Sequence, residues 1–543
     1  MSRIGGDVVV ECLRALGADT VFGLPGQHAL GLFEALRRAA GVRVVSGRVE
    51  NNVVFAADGF ARERLAAGGC AVTPVVVSTG PGALLALSSL QEARESSVPL
   101  LVVASQVPVA GLGGARRGFL HELPDQGGVA AGVVKSVHRV RSVEQVPGVL
   151  AQAWSSACSV PFGPVWVEVP QDVLAGPAVV PVVEELCAAG SVPVAGGSLL
   201  DAAAEVLRGA VSPVVLAGGG VVRSGAQASL LELAESLRAP VVCTVGGKGA
   251  FPWGHPLSAQ SWVEDAATTE LLASADVLVV LGSGLGELSS NYHSLRPRGR
   301  VVQVDADVGR LGANHRVLGL HSDVDAAVRG LVERLSPRAV DGRAEAMVAG
   351  LLARVRGRLD AQDLGVERRV LAAVREALPV GAVSCWDMTV LGYWAWSAWD
   401  ADGARMHSAQ GAGGLGFGFP AALGAAVASG GPVLAVSGDG GAMYGLAELA
   451  VAVQEGLDVT WLIVDDGGYG ILREYAQARF GVSAGVELVR PDFAAVAGAF
   501  GVRAVVSAPE RLREDVAAEL SRPGPGVVVL PRRLGMFAAS HPV

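Results

Sequence analysis

Three observations predict an α/β fold of three doubly wound parallel-sheet domains. The chain has 543 residues, more than a single hydrophobic core organises. Short β-branched runs, VVVS (75–78), LLVVAS (100–105) and VWVEVP (165–170), alternate with helix-period stretches such as VVVECLRALG (8–17); this is the alternation of a parallel sheet with its crossover helices. Finally, PVVLAGGGV (213–221), PVVCTVGGKGAFP (240–252), DVLVVLGSG (276–284) and RVVQVDAD (300–307) each run a strand into a turn, most of them Gly-rich, as in a Rossmann-like sheet.

Taken in order, the first domain spans 1–172, and QDVLAGPAVVPVVEELCAAGSVPVAGGS (171–198) reads as a linker. The central Rossmann-like domain occupies 195–335. A charged helical stretch (332–362) makes the crossing to a third domain over 365–543. No solenoid-period repeat is visible.

Hydrophobic residues make up 51% and charged residues 17%, with a net charge of -9 and no basic run. A well-buried enzyme fits this composition, and a nucleic-acid partner does not. The longest uncharged stretch, Met406 to Gly438, is interrupted by Gly and Pro, which disfavours a membrane span. The start carries acidic residues where a signal peptide needs an unbroken apolar segment, so a cytoplasmic protein is expected. The six cysteines (Cys12, Cys70, Cys158, Cys187, Cys243, Cys385) show no paired spacing and are expected to be reduced and buried.

The most informative segment is GDGGAMYGLAELAVAVQEGLDVTWLIVDDGGYG (438–470). Strand PVLAVS leads into GDG, a helix with Leu446, Leu449, Ala450 and Val453 on one face follows, and strand TWLIV ends at DDGGYG. Asp439 and Asp466 lie 466 − 439 = 27 positions apart, a distance one strand–helix–strand unit folds back into a single oxygen-rich site. A hard cation such as Mg2+ takes such ligands, the rest coming from a diphosphate, water and a main-chain carbonyl. Alone, GDG or DDGG is an ordinary turn. Together, in this context, they resemble the thiamine-diphosphate fingerprint of GDG followed by Asn-Asn, with Asp465 and Asp466 in place of the asparagines. The resemblance implies Asp439, Asp466 and the Gly468 carbonyl as metal ligands, and Gly438, Gly440, Gly441 and Ile471 around the diphosphate.

Other strings carry the same likeness. RVENNVVFAADGFAR (48–62) is similar to the family's glutamate-helix motif, which makes Glu50 the acid held against the aminopyrimidine ring; a plain helix-start acid is the bland alternative. VFGLPGQHALGLFEAL (21–36), with Pro25 on the cofactor, VSTGPGALLALSSL (77–90) and GPVWVEVPQDV (163–173) resemble the pyrimidine-binding domain. GAGGLGFGFPAALGAA (411–426) resembles the loop that bends the cofactor, with the Gly413 carbonyl on the ring amino group and Leu415 as wedge. Asp387-Met388-Thr389 falls where family members place a short polar segment on the diphosphate, with Thr389 as the contact. Overall the chain resembles acetolactate synthase large subunits, in a superfamily with benzaldehyde lyase and pyruvate decarboxylase. Its three domains are then the pyrimidine-binding, central and diphosphate-binding ones, and a homodimer or homotetramer with active sites at the subunit interface is implied.

The same alignments turn Gln27, His28, His121 and Leu472 toward the reacting carbon; as isolated residues, the two histidines could equally be structural. Gln27 and Leu472 replace acids of simple decarboxylases. Fewer proton donors favour transfer of an acyl-anion equivalent, from a decarboxylated 2-oxo acid such as pyruvate, to a carbonyl acceptor. A non-ligating 2-oxo acid decarboxylase is the alternative, and a non-catalytic cofactor-binding protein, which the intact Glu50 argues against, is the second. FAD is not expected: LGSGLGELSS (281–290) and SAQSW (258–262) depart from the strings that meet flavin in acetolactate synthases.

Overall fold

The computed structural model describes residues 2–69, 72–401 and 404–540. Three sheets, parallel throughout, follow one another along the chain. The first comprises β1 (Thr20–Gly23), β2 (Arg43–Ser46), β3 (Thr73–Val77), β4 (Leu100–Gln106), β5 (Ser136–Arg139) and β6 (Val165–Pro170), in spatial order β2-β1-β3-β4-β6-β5. The central sheet holds β7 (Pro213–Ala217), β8 (Val241–Cys243), β9 (Val277–Leu281), β10 (Arg300–Asp305) and β11 (Leu318–His321), ordered β11-β10-β9-β7-β8. The third holds β12 (Ala382–Trp386), β13 (Ala404–Ser408), β14 (Val433–Gly438), β15 (Val459–Val464), β16 (Arg503–Val506) and β17 (Gly526–Leu530), ordered β13-β12-β14-β15-β17-β16.

The first and third sheets therefore share one topology, strand for strand. Their inner strands β3, β4, β6, β15 and β17 are buried along their whole length, which is why they read as unbroken apolar runs rather than as alternations. In each of these sheets the strand order reverses near both edges, and at one of them the switch falls between β1 and β3 and between β12 and β14. Such switch points open a crevice at the carboxyl ends of the strands. The turns that border the two crevices, 24–29 with 78–82 and 387–389 with 438–441, carry many of the residues singled out above.

Helix Glu50–Ala66 joins the two outer sheets by packing on helix Gly418–Ser429. A Cβ on Gly59 would stand 2.0 Å from the Ala421 carbonyl oxygen, and one on Gly424 would stand 1.7 Å from that of Ala56. Only glycine admits this backbone approach. Phe55, Ala57, Phe60, Phe417, Phe419 and Leu423 form part of the common core around it.

Two expectations need correction. The helix after GDG is broken into Asp439–Gly445, a 3-10 turn Leu446–Glu448 and Leu449–Glu455. The tighter turn shifts the phase of the face, so Leu449, Val451 and Ala452 are buried and Val453 is exposed. Of the cysteines, Cys12, Cys243 and Cys385 are buried, but Cys158 is half-buried and Cys187 is exposed, the last lying in the irregular stretch between helices Gln171–Ala175 and Gly197–Gly209. Cys70 lies outside the described residues. No helix among the described residues is long and apolar enough to cross a membrane.

Candidate functional site

Strands β14 and β15 are in register, Ser437 beside Ile463 and Gly438 beside Val464, so Asp439 and Asp465-Asp466 start neighbouring turns. The Asp439 carboxylate accepts from the Gly467 N–H at 3.1 Å through Oδ2, while its buried Oδ1 has no partner. Burial first, and then Asp466, pushes its pKa up to about 6. Asp466 accepts from the Gly468 N–H at 3.2 Å, and burial raises it too, against the pull of Arg473. Gly470 lets the Asp466 carboxylate lie where it does, because a Cβ there would stand 2.0 Å from its Oδ2 and displace it. A buried carboxylate oxygen left unpaired beside a second carboxylate is a donor set that fits a divalent cation. The extra charge of Asp465 is met by an ion pair with Arg490, whose Nε also lies 3.8 Å from Asp439. Arg490 reaches the site because segment 486–488 lies along the turn, with Tyr469 N–H donating to the Val486 carbonyl and Leu488 N–H to that of Gly467.

On the neighbouring turn Thr389 Oγ1 abuts Gly438, where an added Cβ would come within 2.9 Å of it. Two residues before it, Asp387 is buried and accepts from the Met388 N–H (2.8 Å), the Gly416 N–H (3.0 Å) and the Ser437 hydroxyl (3.3 Å). Burial pushes its pKa up to about 6. Asp387 thereby pins the end of the 411–416 loop, in which Gly413 has φ +74° and Leu415 is half-buried. Ile471 is buried and Leu472 is 50% exposed.

The second group of residues gathers on the first sheet. Glu50 opens its helix and is 8% exposed. Gly82 faces it so closely that a Cβ would lie 2.7 Å from the carboxylate Oε1. Gly80, at φ +70°, backs onto His121, itself at φ +63°. The His121 ring lies 5.3 Å from that of His28. His28 is buried with its Nδ1 unpartnered, and burial first, then His121, lowers its pKa, so it stays neutral at pH 7. Pro25 and Gln27 are exposed on the turn after β1. Gln126 ties this turn system together, accepting from the Thr79 hydroxyl (2.6 Å) and the Gly80 N–H (3.0 Å) and donating to the Ser105 carbonyl (3.1 Å).

The chain thus assembles two groups: Pro25, Gln27, His28, Glu50 and His121 on the first sheet, and Thr389, Gly413, Leu415, Gly438, Asp439, Gly440, Gly441, Asp466, Gly468, Ile471 and Leu472 on the third. Among the described residues no hydrogen bond or ion pair joins one group to the other. Gln126 and Arg490 escaped the sequence reading. Asp387 is legible there only as a member of the short polar segment with Met388 and Thr389, at the end of an apolar strand, and its grip on the Gly416 N–H is not.

A cavity of about 680 Å³ opens at the carboxyl edge of the central sheet, at its own switch point between β7 and β9, with Gly219, Thr244, Ser283 and Asp305 in its wall.

Two outer sheets of identical topology, one presenting a buried acid beside a Gly-Pro-Gly turn and the other a carboxylate pair beside a glycine-lined turn, define the class of thiamine-diphosphate-binding enzymes. Models of the thiamine pyrophosphate enzyme family match all three regions: the N-terminal TPP binding domain over 3–129, the central domain over 200–331 and the C-terminal TPP binding domain over 387–530. The chain is 33% identical over 535 residues to a probable 2-ketoarginine decarboxylase of Pseudomonas aeruginosa, covering 97% of this chain and 93% of that one. It is 27% identical over 542 residues to the acetolactate synthase isozyme 1 large subunit of Escherichia coli (96% and 93% covered), and 29% over 569 residues to the acetolactate synthase large subunit of Parasynechococcus marenigrum (98% and 88%). The chain belongs to the thiamine pyrophosphate enzyme family, as a thiamine-diphosphate-dependent enzyme acting on carbon–carbon bonds.

Proposed function

We propose that the protein is a carboligase that transfers an acyl-anion equivalent from a decarboxylated 2-oxo acid to a carbonyl acceptor. The observation that carries this reading is the absence of an acid at Leu472, which is half exposed beside the acidic turn, together with a histidine pair, one member buried and neutral, on the other group. When bound, thiamine diphosphate supplies an electron sink for the carbon next to a carbonyl. The protein's part is to hold and orient. Asp439, Asp466 and the Gly468 carbonyl hold Mg2+, while Thr389, Gly438, Gly440, Gly441 and Ile471 surround the diphosphate. Pro25, the Gly413 carbonyl and Leu415 seat the pyrimidine, and Glu50 holds a proton at its ring nitrogen. His28 and His121 orient the acceptor carbonyl, His28 as a neutral hydrogen-bonding group, and His121 can supply the proton its oxygen needs, with Gln27 at the mouth. With no hydrogen bond or ion pair joining the two groups among the described residues, the reading includes a homodimer or homotetramer in which each site takes one group from each subunit, in the cytoplasm.

Leu472→Glu is expected to shift products from ligated acyloin toward free aldehyde, read by mass spectrometry over a panel of 2-oxo acids and aldehydes. His28→Ala and His121→Ala are expected to slow ligation by about 10²-fold. A wild-type enzyme that yields only aldehyde from every 2-oxo acid, with both histidine variants unimpaired, would replace this reading with a second one. That second reading, decarboxylation without ligation, is favoured by the name of the 33% identical relative, so 2-ketoarginine belongs in the panel.

The protein is also expected to purify colourless. Segment 282–289, which borders the central cavity, is part of the string that departs from the flavin-contacting one. A stoichiometric yellow chromophore released on denaturation would overturn this.

A further inference from the structure

The Glu92 carboxylate is fully buried on helix Leu87–Glu95 of the first domain, yet its donors come largely from elsewhere. Oε1 accepts from the Gly411 N–H (3.0 Å), the Ser96 hydroxyl (2.7 Å) and the Arg62 guanidinium (3.2 Å), and Oε2 from the Ala412 N–H (2.6 Å). A buried carboxylate held by four donors is rigid, and losing it leaves several buried groups unpaired. Arg62 in turn pairs with Asp58 at 2.5 Å and donates to the Ser408 carbonyl at 2.9 Å. One residue on, Glu63 accepts from Arg405 (2.8 Å) and pairs with His407 (2.5 Å). Residues 405–408 are therefore fastened along the helix that begins at Glu50, and 411–412 to Glu92 on the helix Leu87–Glu95.

The same loop is fastened at its other end by Asp387 through the Gly416 N–H. Between the two carboxylates lie Gly413 and Leu415, with no other side chain accepting from the intervening N–H groups among the hydrogen bonds of the described residues. Gly411 fits so closely that a Cβ would stand 2.8 Å from the Ser96 hydroxyl and 3.0 Å from the Glu92 carbonyl oxygen, so the loop's entry point is set by the first domain.

We propose that Glu92 is a positioning residue for the reaction: by gripping the Gly411 and Ala412 N–H groups it sets the height at which the Gly413 carbonyl and Leu415 meet the bound cofactor. The inference rests on the reading that this loop seats the pyrimidine ring. Reaching the same loop from Asp387 alone would leave a hinge at Gly411, and a misplacement of about 1 Å at a reacting centre is enough to cost about 10²-fold in rate.

The test compares wild type, Glu92→Gln and Glu92→Ala as full-length protein with thiamine diphosphate and Mg2+. Peptide-level amide hydrogen exchange is followed with and without cofactor, and consumption of 2-oxo acid is assayed, a readout indifferent to whether ligation or simple decarboxylation follows. The expected result in Glu92→Ala is faster exchange confined to 409–416, weakened protection of that segment by cofactor, and kcat lower by about 10²-fold with the 2-oxo acid KM within roughly twofold. Glu92→Gln keeps the side-chain volume and one acceptor oxygen and should fall between; it also carries the test where the alanine variant does not fold. Unchanged exchange and cofactor protection in 409–416, or loosened exchange with undiminished kcat, would overturn the proposal. So would a loss of kcat accompanied by a uniform rise in exchange across the third domain, which marks a purely structural role. A wild-type protein that consumes no 2-oxo acid counts against the proposed function alone, since cofactor protection of the loop still decides the role of Glu92.

Discussion

Glu50→Gln should fold, bind thiamine diphosphate with Mg2+ and lose about 10²–10⁴-fold in turnover, the range that general acid–base groups supply. The substitution is nearly isosteric, and the side chain lies close against Gly82, where a Cβ would stand 2.7 Å from its Oε1. An amide fits that space, so the helix from Glu50 to Ala66 and its contact with the third domain are untouched. What goes is the proton that a carboxyl group can share with a ring nitrogen. The measurement is exchange of the cofactor's C2 proton in deuterated buffer, with cofactor affinity as the control. Near-wild-type exchange with intact binding would remove Glu50 from its assigned role.

Asp439→Ala should abolish metal-dependent cofactor binding, a loss beyond the 10–100-fold typical of second-layer residues around a metal. Its Oδ1 is buried and unpaired and its Oδ2 meets a main-chain N–H, so alanine removes one oxygen aimed into the site and one that holds the Gly467 turn. Asp466→Asn should retain binding, since the amide oxygen keeps a ligand and the change relieves crowding between two carboxylates. Calorimetry in Mg2+ decides both. Normal binding by Asp439→Ala would place the cation elsewhere.

The parallel α/β class, the acidic turn and the place of Glu50 at a helix start could be read from the sequence because each rests on local pattern, whereas the strand order, set by long-range pairing, could not. Apolar runs of strand length mark β3, β4, β6, β14 and β15, and GDG and DDGG stand at the strand ends where a turn must form. The residues that escaped are those whose partners lie far along the chain. Glu92 sits in SSLQEARE, which reads as a solvated helix face, and its donors are 319 and 320 positions away. Arg490 follows a stretch without strong periodicity, and nothing in the local sequence says that it balances Asp465. The broken helix after GDG misled for another reason: a single 3-10 turn changes which side chains face inward without changing composition.

The close crossing of helix Glu50–Ala66 with helix Gly418–Ser429 has a consequence for how the polypeptide is made. Arg62 waits for a carbonyl 346 residues further along, which at a synthesis rate of ~5–20 residues per second is roughly 20–70 s after its own emergence from the ribosome. Throughout that interval the face bearing Phe55, Ala56 and Gly59 has no cover, because Phe417 and the helix that bury it do not yet exist. The nascent first domain is thus a species with an apolar flank, the kind that aggregates or engages chaperones, and truncated chains that stop before the third sheet stay in that condition permanently.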